Sequence, residues 1–546
     1  MVWLAATLCL AGTVRGEDEG PPENQQRAAL AQVTDSSLRS HIRFLASDLL
    51  EGRGPGSRGD ELAQQYIATQ FESMGLLAAA PQGGWFQSVP LVGVLSQAPK
   101  TLTFGREGQQ LELKYLDDFI VTSGRPVPRV EVQDAEVVFV GYGIVAPEYD
   151  WDDFKGMDLR GKILLMMNND PASDPQRFGG STRLYYGRWD YKYASAARQG
   201  AAGAIIIHTD ESAGYPYRVV QTSWTGEEFE LRDQPGPRTE FKGWMTDDAA
   251  RRLVQFSGLD LETLRQSAEK REFRPVPLNA RVSLAIHSEV RERDTANVVG
   301  LLPGSDPQLS RQALVYMAHH DHIGMAAERN EQGDNIYNGA VDNASGVSVL
   351  LSIARAHASL PERPRRSILF VSVGAEEQGL LGSEYFAAHP AVPSRDMAAV
   401  INIDGINTLG PTRDINVIGK GKSDLDAHVE RFARWQRRLV VPDRFPDRGY
   451  YYRSDQFSLA KIGVPGIYLH SGIEVIGKPE GWGREQREAW VQTHYHQPSD
   501  EYNPDWDLRG AIQDAQLLFY TGCAIADQPE MPRWTSGDEF EKIRRP

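Results

Sequence analysis

Five short, nearly continuous apolar runs constrain this chain most. They lie at residues 297–302, 313–318, 367–373, 398–403 and 464–469. Runs of this length without polar alternation suit strands buried on both faces of a largely parallel sheet. Helical spacing of apolar residues separates several of them, at 344–360, 382–388 and 424–438. This alternation predicts an α/β fold with a mostly parallel central sheet flanked by helices.

The residues just past three of these runs carry chemistry. The run at 313–318 leads into His319-His-Asp-His322, that at 367–373 into Gly374-Ala-Glu-Glu377, and that at 398–403 into Asp404. Ligands of open α/β sheets bind at the carboxyl ends of strands. Borderline divalent metals such as zinc take imidazole nitrogen and carboxylate oxygen. Asp342 lies in a Gly-rich approach to the helix expected from about residue 344. A carboxylate there is held in its charged form, whether as a metal ligand or as an N-cap. Glu376 and Glu377 are adjacent, so one can bind metal while the other takes a proton. A later loop, Thr493-His-Tyr-His496, adds histidines before a C-terminal helix. On residue type alone His319, His320 and His322 are all eligible ligands, as are His494 and His496.

The 546 residues are too many for one hydrophobic core, so two or more domains are expected. A net charge of -16 argues against nucleic-acid or anionic-membrane partners, because no basic excess exists to displace counterions. Residues 1–16 read as a secretory signal peptide: an apolar run too short to span a bilayer, then small residues and an acidic, Pro-rich stretch. The protein is therefore expected to be exported, periplasmic or extracellular. Cys9 would leave with the signal and Cys523 would remain alone, without a disulfide partner. Helical stripes at 36–50 and 60–74 flank a Gly-rich break. Residues 131–289 hold strand-like segments but no clustered His/Asp/Glu set, and read as a separate domain. That leaves 27–130 and 290–527 as a discontinuous catalytic domain, with 528–546 as a polar tail on its surface.

Taken in order, His319-x-Asp321, Gly339-Ala-Val-Asp342-Asn-Ala-Ser-Gly346, Gly374-Ala-Glu376-Glu377-x-Gly-Leu-x-Gly382, Asp404 and Tyr495-His496-x-Pro-x-Asp500 resemble a known set. They are similar to the co-catalytic di-zinc aminopeptidases, the group of aminopeptidase Y, glutamate carboxypeptidase II and the transferrin receptor ectodomain. Leu45-Ala-Ser-Asp-Leu-Leu-Glu-Gly-Arg53 shares in the likeness, and 131–289 resembles a protease-associated domain through Gly141-Tyr-Gly-Ile144 and Asp158-Leu-Arg-Gly-Lys162. The resemblance implies a zinc-exopeptidase fold with an inserted β-rich α/β domain, and two Zn2+ per chain. Asp342 would bridge them, His319 and Asp404 completing one site, Glu377 and His496 the other.

In the same pattern Asp321 would hydrogen-bond His319 and fix its tautomer. Glu376 would be the general base, activating a metal-bridging water and then protonating the leaving amine. The implied activity is release of N-terminal residues from peptides. A single-zinc glutaminyl cyclase with much the same ligand set and a carboxypeptidase of the same family are alternatives; a non-catalytic receptor-like domain is a third, but it would be expected to lose ligands that are intact here. Tyr450, Tyr451 and Tyr452 read either as supplying a hydrogen-bond donor to the oxyanion, as tyrosines of this region do in relatives, or as aromatic packing of a surface loop. Two departures stand out: His320 where the family commonly has tyrosine, and Gln456 in Arg453-Ser-Asp-Gln456 where it has histidine. Arg444, Arg448 and Arg453 leave recognition of a substrate carboxylate open, and the inserted domain is expected to roof the cleft.

Overall fold

The computed structural model describes residues 24–174 and 177–544; the expected signal peptide lies outside the described residues. Strands β1 (Phe86–Gln97), β2 (Val276–Leu302), β3 (Ala313–His319), β4 (Ser367–Val373), β5 (Met397–Asn402), β6 (Asp414–Ile418), β7 (Leu439–Pro442) and β8 (Gly466–Ser471) organise the chain. At the centre β4, β3, β5 and β8 lie side by side and parallel. Every residue of β3, β4 and β5 is buried, which is why their sequences run apolar without alternation. The flanks are antiparallel: the end of β2 pairs with β4, and β6 pairs with β8 while running parallel to β7.

The run at 297–302 is the end of a 27-residue strand rather than a strand of its own. Upstream of it β2 alternates buried and exposed residues, and this half pairs with β1 and with Arg129–Phe139. The strand thus passes continuously through the boundary expected near residue 289. It joins two apolar cores. The first packs Leu314, Tyr316, Phe370 and Ile401 of the parallel strands against Val347 and Leu350 of α3 (Gly346–Ala358). The second gathers Phe139, Ile205, Phe241 and Leu253, and also takes in Leu102, Phe104, Phe119 and Val121, upstream of residue 131. No helix among the described residues is long and apolar enough to cross a membrane.

Near the N-terminus, α1 (Asp35–Leu45) is capped by the Thr34 hydroxyl, which accepts from Ser37 N–H. It stops five residues short of the expected end, because Asp48–Arg53 tightens into a 3-10 turn whose Glu51 and Gly52 have positive φ. A Cβ on Gly52 would sit 2.3 Å from the Gly324 carbonyl oxygen, so only glycine allows this approach. The turn carries Arg53 inward. Its buried guanidinium donates to the carbonyls of His320 (2.7 Å), Asn338 (2.6 Å), Gly339 (3.0 Å) and Leu45 (2.5 Å). One side chain thereby ties α1, the loop after β3 and the approach to α3.

Within 528–544 two aromatic side chains anchor the chain. Trp534 and Phe540 are buried with Tyr451, Tyr452 and Phe457, and Trp534 Nε1 donates to Gly463 O at 2.9 Å.

Replacing Arg53 by Met should cost at least about 3 kcal/mol, because several charge-assisted hydrogen bonds are lost and the carbonyls stay buried. Denaturant unfolding of the whole chain measures it; a change within about 0.5 kcal/mol, the range of an ordinary surface substitution, contradicts this role.

Candidate metal and active site

The carboxyl ends of the parallel strands meet the approach to α3 and one later loop at a single point. β3 ends on His319, β4 turns through Gly374 and Ala375 into Glu376 and Glu377, and β5 is followed by Asp404. Asp342 comes from the turn before α3, and His496 from the loop after α4 (Trp482–Thr493). His319 Nε2 lies 3.3 Å from Asp342 Oδ1 and 3.4 Å from Asp404 Oδ1. His496 Nε2 lies 3.4 Å from Asp342 Oδ2 and 3.1 Å from Glu377 Oε2. Asp342 therefore faces one imidazole with each oxygen.

Each ligand candidate has its own support. Asp500, buried, accepts from the backbone N–H of Val341 and of Asp342, both at 3.0 Å, and holds the Asp342 turn. Asp404 Oδ2 accepts from Ser454 Oγ at 2.6 Å and from the Tyr468 hydroxyl at 3.3 Å. Behind Tyr468 stand His470, 2.8 Å from its hydroxyl, and Arg487, 2.7 Å from His470 Nδ1. His496 Nδ1 lies 2.9 Å from Ser223 Oγ, which belongs to the second core's part of the chain.

Asp321 is placed differently from its expected contact. Its Oδ1 is 3.8 Å from His319 Nδ1, beyond hydrogen-bond reach, and the ring nitrogen's nearer neighbour is the Asp321 carbonyl oxygen at 3.3 Å. The Asp321 carboxylate instead accepts from the backbone N–H of Glu376 (3.0 Å) and Glu377 (3.3 Å). It clamps the glutamate turn, because two convergent amides outcompete a single more distant ring nitrogen.

The remaining histidines separate by direction. His320 points away, 3.1 Å from both Asp60 Oδ1 and Ser372 Oγ. His494 contacts Ser499 within its own loop. His322, which the family pattern leaves beside the site, is in it: Nδ1 lies 2.6 Å from Glu377 Oε1, and Nε2 is buried without a hydrogen-bond partner among the described residues. Of Tyr450, Tyr451 and Tyr452, only Tyr450 lines the cleft, in company with Tyr215, Tyr468 and Tyr495. Tyr451 and Tyr452 are packed in the apolar cluster, with the Tyr452 hydroxyl on Glu539 at 2.7 Å. Gln456 is buried and satisfied, accepting from Asn402 Nδ2 (2.9 Å) and donating to Tyr451 O (2.7 Å), so it braces this segment.

The electrostatics show what the cluster lacks. Burial works against a charged His496, yet Glu377 and Asp342 raise it to about 10. His319 is likewise lifted well above its ordinary value, against burial, by Glu376, Asp342 and Asp404. Burial would raise Glu377, but His496 and His322 hold it at about 2. Burial, with Glu377 and Asp455 nearby, pushes Glu376 well up. The carboxylates thus draw protons onto both imidazoles to offset their charge. His319, Asp342 and Asp404 bring one ligand atom each within 4.8 Å of one another, and so do His322, Asp342 and Glu377. Nitrogen and oxygen donors around concentrated negative charge fit a divalent cation such as zinc.

Residues 297–520 match the model of peptidase family M28. Mouse aminopeptidase NAALADL1 is 34% identical over 134 residues, covering 23% of this chain and 16% of that protein. Aminopeptidase YwaD of Bacillus subtilis is 32% identical over 218 residues, covering 37% of this chain and 39% of that protein. The matches thus span less than half of these relatives. The aminopeptidase structure from Aneurinibacillus sp. strain AM-1 shares the fold at 20% identity, with a TM-score of 0.53 over 93% of this chain and 97% of that one.

Residues brought in by long-range packing escape the M28 motif pattern. Ser454 stands in a segment the pattern includes, but Tyr468 and Ser223 carry no local mark.

Because His319 and His496 hold protons through neutral pH in the metal-free protein, a metal must displace them. Zinc affinity should therefore rise with pH, by up to about tenfold per unit for each proton displaced. Competition with a fluorescent chelator between about pH 6 and 8 measures it; a flat profile contradicts this assignment.

Proposed function

We propose that the chain is an exported zinc-dependent aminopeptidase that removes N-terminal residues from peptides. The observation that carries this reading is Asp342, with His319 and Asp404 on one side and His496 and Glu377 on the other. In this reading these residues hold two Zn2+. Zinc supplies Lewis acidity toward the scissile carbonyl and lowers the pKa of water.

The chain's own groups do the rest. Glu376, held beside the ligands by the Asp321 clamp, takes a proton from the attacking water. The same carboxyl then passes that proton to the departing amine. In this reading Tyr450, with Arg453 and Arg487 each 5.4 Å from its ring centroid, donates a hydrogen bond to the oxyanion. The cleft of about 430 Å³ takes a short stretch of extended peptide.

The second core's segment is proposed to be an inserted protease-associated domain within 131–289 that roofs the cleft. Tyr215 from that segment lines the cleft together with Glu376. Arg453 and Arg487 also line it, and neither forms an ion pair among the described residues. They favour a substrate carboxylate, so a carboxypeptidase is the second reading. Peptides with free and with amidated C-termini separate the two.

Exhaustive chelation should abolish hydrolysis of aminoacyl-arylamides and zinc should restore it; full activity in the metal-free protein would refute the reading. Glu376→Gln should lower kcat by about 10²–10⁴-fold with zinc content unchanged. Steady-state kinetics beside elemental analysis test this, and near-normal kcat would remove Glu376 as the base.

A further inference from the structure

His496 differs from the other residues of the cluster in what holds it. Asp342 is fixed through Asp500, Asp404 through Ser454 and Tyr468, Glu377 through His322, and His319 sits against Asp321, all supports within the M28 segment. The second ring nitrogen of His496 faces Ser223 instead, at 2.9 Å, across 273 positions of chain. Thr222 adds a second tie, its hydroxyl donating to His496 O at 3.0 Å. Gln497 Nε2 reaches the same Thr222 hydroxyl at 3.4 Å.

The helix that carries these hydroxyls, Tyr217–Ser223, is itself firmly seated. Val219 and Val220 are buried, and Val220 packs with Trp244 and Tyr193 in an apolar cluster of the inserted segment. His496 needs an outside hold, because it adopts φ 53°, a left-handed conformation that a residue with a Cβ adopts at a cost. The hydroxyls of Thr222 and Ser223 secure the backbone and the ring of one residue at once.

We propose that the inserted segment is a working part of the metal site, with Ser223 as the positioning residue of His496; this rests on the metallopeptidase reading above. A ring that donates its Nδ1 hydrogen to Ser223 Oγ keeps the Nε2 lone pair free, and Nε2 is the atom that faces Asp342 and Glu377. The Glu377–His496 side of the cluster thus depends on docking of the inserted segment. No hydrogen bond from the inserted segment reaches His319 or Asp404 among the described residues.

The test is zinc affinity, read without turnover. The wild type, Ser223→Ala, Ser223→Thr, Thr222→Val and His496→Ala are titrated with zinc against a fluorescent chelator, with circular dichroism checking the fold. The zinc equivalent that His496→Ala loses should bind about 10- to 100-fold more weakly in Ser223→Ala. Any equivalent that His496→Ala retains should be unaffected, and Ser223→Thr, which keeps a hydroxyl, should recover the loss. Thr222→Val should weaken the same equivalent, which keeps the inference testable if Ser223→Ala misfolds. Wild-type affinity in both Ser223→Ala and Thr222→Val overturns the inference alone. Equal weakening of every equivalent overturns it too, because the effect would then be general. Failure of the wild type to bind zinc overturns the metallopeptidase reading, and the inference with it.

Discussion

Asp342 sits between His319 and His496, one carboxylate oxygen toward each ring, and beside Glu376, Glu377 and Asp404. Like charges about 4 Å apart repel by about 4 kcal/mol at an effective dielectric near 20. That is a large share of the roughly 5–15 kcal/mol by which a domain is stable. Such a cluster persists only with positive charge in it, and protons on the histidines or a divalent cation are the available sources. The supports around it answer that constraint. Asp500 turns two amides toward itself to hold Asp342, and Arg53 brings a cation close while spending its hydrogen bonds on carbonyls.

The sheet makes this concentration of charge possible. Strands β3, β4 and β5 are parallel and buried on both faces, so only their ends can carry polar groups. The long strand β2 extends the same scaffold outward and carries the second core. The part of the chain that packs on it brings Thr222 and Ser223 onto His496 across a large distance in sequence.

Much of the arrangement is legible in the residues. The buried runs announce the parallel strands, and the strand-end pattern places His319, Glu377 and Asp404 together. The features that escape have physical causes. The helix Trp482–Thr493 buries only Gly483, so no apolar stripe marks it. The strand β2 hides because its first half alternates and its second half does not, two textures of one element. The spacing of Asp321 from His319 suggests a contact between them, whereas the backbone amides of the next strand's turn claim its carboxylate. His322 and Ser223 act through side-chain packing that no local spacing encodes.

The central claim is that Asp342 is shared by two metal ions. Anomalous diffraction at the zinc absorption edge, from crystals grown with zinc, tests it most directly. The account predicts two peaks flanking the Asp342 carboxylate, one near His319 and Asp404 and one near His496 and Glu377. A single peak, or peaks away from Asp342, would contradict it.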